Sequence, residues 1–281
     1  MPQIGVGQYF GYGTSAADTA IGIVTGGDLG WNPNIQTRQG IYAQAADVGG
    51  SMSAAGTASI ALQAKALFTT AGNLVRASAT SPTINALVFE GGASDDGSAW
   101  KHTGCKLTSA TFACAVDGPL TADIAWVGTG EDVGAAAPPV STQLTYEWFS
   151  GVVTIDSAAL LCQDMSLAVT TGVAPYWSLD TKADHKRMPD GLTVGSQNVT
   201  LTCNVLTFPG TTRVNNWVLG DAPTGTIAAS FAFTGTDTIT FTLANLTCTS
   251  MGIPFQAGDG AVVYPLGFKA KPNDITALTI A

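Results

Sequence analysis

The sequence predicts a mainly β protein with sandwich or barrel packing. Apolar and polar residues alternate with a period of two in several segments, and the polar positions are rich in Thr. Clusters of Gly, Pro, Asn and Asp separate these segments, as turns separate strands. Because successive strand residues point to opposite faces, each segment has one apolar face and one Thr-rich face.

The first half of the chain contains four predicted strands. They cover residues 57–62, 84–90, 103–116 and 120–127. The dipeptide Asp117-Gly118 is typical of a tight turn and joins the last two strands into a long hairpin. In the strand after this turn, Ile124 and Trp126 alternate with Asp123 and Ala125, which predicts one buried face.

The second half contains a similar series of predicted strands. They are a hairpin-forming pair within 149–173, strands at 198–206 and 226–233, a long strand from residue 237, and strands at 261–268 and 275–280. The turn of the long hairpin is predicted near Gly258-Asp259-Gly260. Val-, Ile- and Thr-rich segments of this kind fit a pleated, half-buried surface.

Two short helices interrupt the strands. Residues 64–70 contain good helix formers and end before Gly72, which would occupy the left-handed position that closes a helix. In residues 212–219, Val214, Trp217 and Val218 have the spacing of one helical face. Each helix would have about two turns.

The order of strand, helix, strand and long hairpin occurs twice along the chain, which indicates an internal duplication. The segment GAAAPPV at 134–140 has the composition of a short linker. We therefore expect a first domain at 1–138, with an N-terminal arm, and a second at 139–281. The opening Gly- and aromatic-rich segment is either a flexible arm or a segment docked on the core.

The composition indicates a protein that buries surface by self-association. Only 11% of the 281 residues are charged, against about a quarter in soluble domains, while 46% are hydrophobic. No apolar stretch approaches the roughly 18 residues of a membrane helix, so we expect no membrane partner. Large permanent interfaces are depleted in charge, and an oligomer therefore accounts for this composition.

The net charge of −9 argues against tight binding of nucleic acid, which needs Lys and Arg to displace counterions. It is compatible with DNA that moves past a surface without being held, because a negative wall repels phosphate. We also expect folding in a reducing cytoplasm, since the N-terminal segment lacks the basic and apolar regions of an export signal.

The residue patterns of catalytic and metal sites are absent from the sequence. The five Cys form no C-x-x-C pair, and His102 and His185 lie far apart in different halves. Neither a nucleophile elbow, a dinucleotide fingerprint nor a calcium loop occurs. We therefore predict no catalytic, metal or cofactor residues, and a protein that is not an enzyme.

One segment, DTKADHKRMPD at 180–190, concentrates basic residues on an acidic chain. It is either a solvated surface loop or an arm that forms salt bridges with an acidic neighbour. On the second interpretation Lys182, Lys186 and Arg187, with Trp177 just upstream, are candidates for contacts between subunits.

The chain resembles the tail tube proteins of long-tailed, siphovirus-like bacteriophages, in particular the members with a duplicated domain. In the second half the resemblance is carried by FSGVVTIDSAALLCQDMSLAVTTGV, YWSLDTKADHKRMPDGLTVGSQNVTLTCNVL, TIAASFAF, ITFTLANLTCTSMGIPFQAGDGAVVYPLGFKA and ITALTI. In the first half it is clearest in WKHTGCKLTSATFACAVDGPLTADIAWVG. These are patterns of order and composition that cover most of the chain.

This resemblance implies two tandem β-sandwich domains, each flanked by a short helix. Their inner sheets would join between copies into one continuous β-barrel, and two-domain members form trimeric rings with pseudo-sixfold symmetry. Stacked rings would form a virion tail tube, assembled in the host cytoplasm, whose lumen houses the tape measure protein and conducts genomic DNA. Tail terminator and distal tail proteins would be further partners.

Asp123 and Asp259, on or beside the two long hairpins, are the candidates for acidic residues that face the lumen. Two other classes of protein remain compatible with the sequence. One is a phage head decoration protein or another surface module, such as an adhesin or surface-layer domain. The other is a hydrolase on a β-sandwich, which the missing catalytic pattern disfavours.

Overall fold

A computed structural model describes most of the chain in eleven segments. They are residues 8–17, 19–33, 36–39, 45–48, 52–77, 83–93, 98–134, 141–178, 188–218, 227–254 and 262–281. Strands dominate these segments and helices are few, which confirms the predicted mainly β class. Lys182, Lys186, Arg187 and Asp259 lie outside the described residues.

The first half consists of nine strands and one helix. In chain order they are β1 (Gln8–Gly13), β2 (Gly22–Pro33), β3 (Gln36–Gln39), β4 (Ala45–Val48), β5 (Met52–Leu62), α1 (Ala66–Thr69), β6 (Leu87–Ala93), β7 (Ser98–Ala115), β8 (Thr121–Gly128) and β9 (Gly130–Gly134). Helix α1 has four residues, shorter than predicted, and Asn73 Nδ2 donates to the Leu67 carbonyl to hold the following turn.

The second half begins with a 3-10 helix at Trp148–Ser150 and then repeats a similar series. Its elements are β10 (Val152–Ile155), β11 (Ala158–Ala159), β12 (Cys162–Thr170), β13 (Ala174–Tyr176), β14 (Gly191–Thr193), β15 (Asn198–Val205), α2 (Thr211–Val218), β16 (Ile227–Thr234), β17 (Thr238–Met251), β18 (Tyr264–Ala270) and β19 (Leu278–Ile280). Helix α2 matches the predicted 212–219 to within one residue at each end.

One large antiparallel sheet connects both halves. Along its main path the strands have the order β11-β10-β16-β17-β18-β15-β12-β7-β8-β5-β2. Strand β6 joins β1 to β7, and β9 and β19 pair with β7 and β17. The pairing order β1-β6-β7-β8-β5-β2 in the first half is thus matched by β10-β16-β17-β18-β15-β12 in the second.

A single hydrophobic core extends through both halves. The Phe112 ring on β7 lies 4.8 Å from the Phe241 ring on β17, and both side chains are fully buried. Phe68 of α1 meets Phe112 edge-on, also at 4.8 Å. The division into domains at residues 138 and 139 stays a prediction, because 135–140 lie outside the described residues.

The start of the described chain is docked on this core. Strand β1 pairs with β6, and its Phe10 and Tyr12 side chains are buried. The Phe10 ring stacks on Phe89 at 5.8 Å and lies 5.5 Å from Trp126. Residues 8–13 therefore belong to the folded body, in agreement with the docked interpretation of this segment.

Candidate assembly surface

One face of the main sheet is polar, and we refer to it as the polar face. Its central row crosses seven strands through Ser59, Asp123, Thr111, Ala168, Thr200, Lys269 and Thr247. These side chains are mostly short and have hydroxyl groups. They lie beside one another because residues that are directly opposite in a strand pair point to the same face of the sheet.

The opposite face of the same strands packs on the core. The adjacent row contains Ile60, Ala122, Phe112, Leu167, Leu201 and Phe268, all of them buried. Burying an aliphatic or aromatic side chain of this size contributes about 1.5–3 kcal/mol. This one-sided burial fixes which face of the sheet is left to water.

The polar face carries charges of both signs, with carboxylates in excess among the described residues. These carboxylates belong to Asp28, Asp123 and Asp164, and the cations are Lys106 and Lys269. Ser59 Oγ donates to Asp123 Oδ1 at 2.5 Å. Asn204 Nδ2 donates to both Asp164 oxygens, at 3.0 and 2.8 Å, so the carboxylates are held by uncharged partners.

The strand edges without a partner among the described residues include two that belong to strands of the polar face. Strand β2 ends the sheet and pairs only with β5 there. The C-terminal part of β17, after Leu246, pairs with β18 on one side and with no described strand on the other. Unpaired strand edges with free backbone groups are sites where another chain can add a strand.

An apolar pocket of about 310 Å³ opens beside the C-terminal end of β7 and the adjacent start of β12. Trp148, Phe149, Leu161 and Leu206 line it and are exposed, and we call these four residues the apolar end patch. Monomeric proteins seldom expose large apolar groups in contact with one another. The apolar end patch therefore has the character of a contact surface.

Burial keeps His102, Cys105 and Cys114 uncharged at neutral pH. Burial lowers the pKa of His102 to about 4, against a smaller opposing effect of the Asp28 carboxylate. Burial also raises the pKa of the Cys105 and Cys114 thiols, to about 12 and about 11. Within the described segments, no group of three or more His, Cys, Asp or Glu side chains could hold a metal ion.

Two of the sequence-predicted site residues lie within the described residues: the lumen candidate Asp123 and the subunit-contact candidate Trp177. Asp123 is exposed on β8, on the polar face. Trp177 follows β13 and is 43% exposed. The two positions belong to different elements, and nothing in the structure brings them together.

The residues matched by a known family decide the identity of the chain. A sequence model described as phage tail tube protein matches residues 34–270, which is most of the chain. The chain belongs to the phage tail tube protein family. It is a structural component of the virion tail. No curated protein matches it.

The polar face of this tail tube protein belongs to its main sheet. Sequence reasoning missed the other charged residues of the polar face, Asp28, Lys106, Asp164 and Lys269. The available signal was the period of two: Asp164 alternates with buried Met165, and Lys269 with buried Phe268. None of the described helices has the length and apolar character to cross a membrane.

Proposed function

We propose that this tail tube protein forms trimeric, pseudo-sixfold rings in which the sheets of neighbouring copies join into one β-barrel. The observation that carries the proposal is a large sheet with one polar face and with open edges on two strands of this face, β2 and β17. Joining the edges satisfies their backbone groups, and closure into a barrel removes edges from the assembly. The polar face then lines the lumen, while the core stays on the outer side of the barrel wall.

We infer that the lumen houses the tape measure protein and later conducts genomic DNA. Its lining of Thr, Ser and Ala offers small groups that hold neither a protein nor a duplex tightly. Asp28, Asp123 and Asp164 make the polar face weakly negative, which repels phosphate within the Debye length of about 8 Å at physiological salt. Asp123 is therefore proposed as a lumen residue, and Asp259 as its counterpart on the second long hairpin.

Rings would stack through surfaces at the two ends of the barrel. The apolar end patch lies at one end of β7 and β12 and supports this role, since its Trp148 and Phe149 become buried when another ring covers them. The basic segment with Lys182, Lys186 and Arg187, and Trp177 beside it, is proposed to contact a neighbouring subunit. Tail terminator and distal tail proteins would meet the same end surfaces at the two ends of the tube.

Electron microscopy of the purified full chain tests the proposed function. We expect rings or tubes with a central channel, and class averages with sixfold features built from three copies. Image averaging and mass measurement of the same sample then give the number of chains in each ring. Dispersed monomers at high protein concentration, or solid particles without a channel, would contradict the proposal.

A further inference from the structure

The two halves of the chain share irregularities of the backbone, which allows residues to be matched one to one. In β7 a bulge lies between Leu107 and Ser109, and in β17 one lies between Cys248 and Ser250. Gly104 has a φ of 60° and Asn245 a φ of 57°. Leu107 and Cys248 are 141 residues apart, and so are Gly104 and Asn245.

Two further pairs of corresponding strands show the same agreement. Strand β2 has a bulge between Val24 and Gly26, and β12 has one between Cys162 and Asp164, 138 residues later in both cases. Bulges also occur between Leu87 and Phe89 in β6 and between Ile227 and Ala229 in β16. Since bulges are specific features of a strand pair, their recurrence fixes the correspondence between the halves.

The two halves are joined by one strand pair, β7 with β12. Val116 N–H donates to the Gln163 carbonyl at 3.0 Å, and Thr171 N–H donates to the Thr108 carbonyl at 2.9 Å. Between these bonds Phe112 lies opposite Leu167. The join therefore uses the C-terminal part of β7 and the edge of β12 that does not pair with β15.

The counterparts of these two joined edges are the open edges of β17 and β2. The C-terminal part of β7 corresponds to β17 after Cys248, and β12 corresponds to β2. Gly252 N–H donates to the Pro265 carbonyl at 2.9 Å, on the β18 side. Alternation along the strand turns the backbone groups of Met251 and Ile253 outward. Pro254, which lacks an N–H, has its nitrogen on the β18 side, so the open edge keeps its donors.

The side-chain contact at the internal join has counterparts that are partly exposed. Phe112 and Phe241 are fully buried against each other at the internal join. Their counterparts, 141 residues later and earlier, are Ile253 and Trp100. Ile253 is 50% exposed and Trp100 is 47% exposed. The two residues of a contact that is buried between the halves thus have partly exposed counterparts, one in each half of the chain.

We propose that β2 of one copy pairs antiparallel with the end of β17 and the following residues 252–254 of the next copy, in the register of the internal join. Leu29 then lies opposite Ile253, Gly30 opposite Gly252 and Asp28 opposite Pro254. Ile253 packs against Trp100 of the same neighbour, as Phe112 packs against Phe241. The partner is a second copy of this chain, and the inference rests on the proposed self-assembly.

Pro33 sets one limit of this pairing. Its counterpart is Thr171, whose N–H makes the last backbone bond of the internal join. Proline lacks that donor, so the ladder between copies ends before residue 33. The contact between copies is therefore one bond shorter than the internal one at this end, and it is the weaker of the two joins.

Disulfide cross-linking between engineered cysteines tests this register. Asp28 and Pro254 would form a non-hydrogen-bonded pair, with Cα atoms about 4.5 Å apart, which is within the range that a disulfide spans. The double variant D28C/P254C should give a ladder of cross-linked species under oxidising conditions, ending at the size of the closed ring. An intramolecular bond is excluded because six strands lie between β2 and β17 in the sheet.

The matched control is D28C/S250C. Ser250 lies in β17, four residues before Pro254, so in the proposed register it is about 13 Å from residue 28. This variant should show no more cross-linking than the wild type, whose five native thiols set the background. Mass spectrometry of the linked peptides identifies the residues that are joined.

The outcomes separate this inference from the proposed function. Rings or tubes with the 28–254 link support both. Rings or tubes in which the link is missing, or in which 28–250 links equally well, overturn the register alone. Linked pairs without rings or tubes support the pairing and contradict the tube function. A wild-type chain that stays monomeric, with double variants that do not cross-link, overturns both.

Discussion

At the scale of single residues, His102 is the buried group whose charge depends most on pH. It is fully buried on β7, and Trp126 Nε1 donates to its Nδ1 at 3.1 Å, which requires a neutral ring with a lone pair on that nitrogen. Burial lowers its pKa from 6.5 to about 4. The unfolded chain therefore binds a proton at a higher pH than the folded chain does.

This difference predicts a loss of stability in acid. As pH falls from about 6.5 to about 4, the unfolded state takes up a proton that the folded state resists, and the loss ends below pH 4. Between pH 7 and 4.5 the wild type should lose about 2–3 kcal/mol more than H102Q, whose amide oxygen still accepts from Trp126. Urea denaturation of the unassembled chain at both pH values measures this, and equal losses would contradict it.

Backbone conformation at Gly104 gives a second prediction. Its φ of 60° lies in the left-handed region, and a Cβ added there would overlap the Thr129 hydroxyl. G104A should therefore lower the free energy of unfolding by at least about 1–2 kcal/mol. The control is G118A, whose Cβ would lie 3.5 Å from the Ala115 carbonyl oxygen, an ordinary contact. Thermal melting of both variants compares them, and similar melting temperatures would argue against strain at residue 104.

At the scale of elements, the period of two in the sequence was sufficient to predict the strands that are buried on one face only. The predicted 198–206 and 226–233 agree with β15 and β16 to within one residue. Strand β2 was missed, because Gly22, Gly26, Gly27 and Gly30 interrupt any alternation of apolar side chains. Its place in the sheet comes from pairing with β5, a contact between distant segments that local pattern does not encode.

The same limit applies to the assembly surface. The alternation of Asp123 with Ile124 identified a polar strand face from sequence alone, and the structure shows that residue exposed on the polar face. Which strand edges lie open could not be predicted, because this depends on the order of strands in the sheet. Phe112 and Ile253 both lie in apolar stretches of the sequence, yet one is buried and the other is half exposed.

The open edge of β17 predicts the effect of a single charge. Ile253 is half exposed in the isolated chain, so I253K should leave folding intact while placing an ammonium in the proposed contact with Trp100. We expect I253K to need at least a tenfold higher protein concentration than the wild type to form rings, as measured by sedimentation. L144K is the control, since Leu144 is 69% exposed and lies away from both open edges. Equal assembly of the two variants would show that Ile253 is not buried between copies.

At the scale of the whole molecule, a single core makes the chain one stiff unit of the tube wall. Lys65, which precedes α1 in the first half, donates to the Thr238 carbonyl at 2.6 Å and lies 3.7 Å from Asp237 in the second half. Tyr146 N–H in the second half donates to the Leu62 carbonyl in the first half at 3.1 Å. Because these contacts and the shared core hold the halves together, the join between copies is the expected site of opening when a ring dissociates.

The charge of the lumen follows from the polar face that each copy contributes. In D123N/D164N each copy keeps one described carboxylate there, Asp28, against Lys106 and Lys269, so the wall changes from weakly negative to weakly positive. Tubes of this variant should retain short duplex DNA at low salt and release it at high salt, as electrostatic binding requires. Wild-type tubes should retain little DNA at either salt concentration.

The matched control for this experiment is D117N/D156N, which removes the same amount of charge from two turns. Both residues have positive φ, a conformation that Asn tolerates well, so the turns should keep their shape. If the polar face lines the lumen, only D123N/D164N tubes should carry DNA down when they are sedimented at low salt. DNA held equally by both variants would mean that net charge alone governs the contact, and that Asp123 and Asp164 do not face the channel.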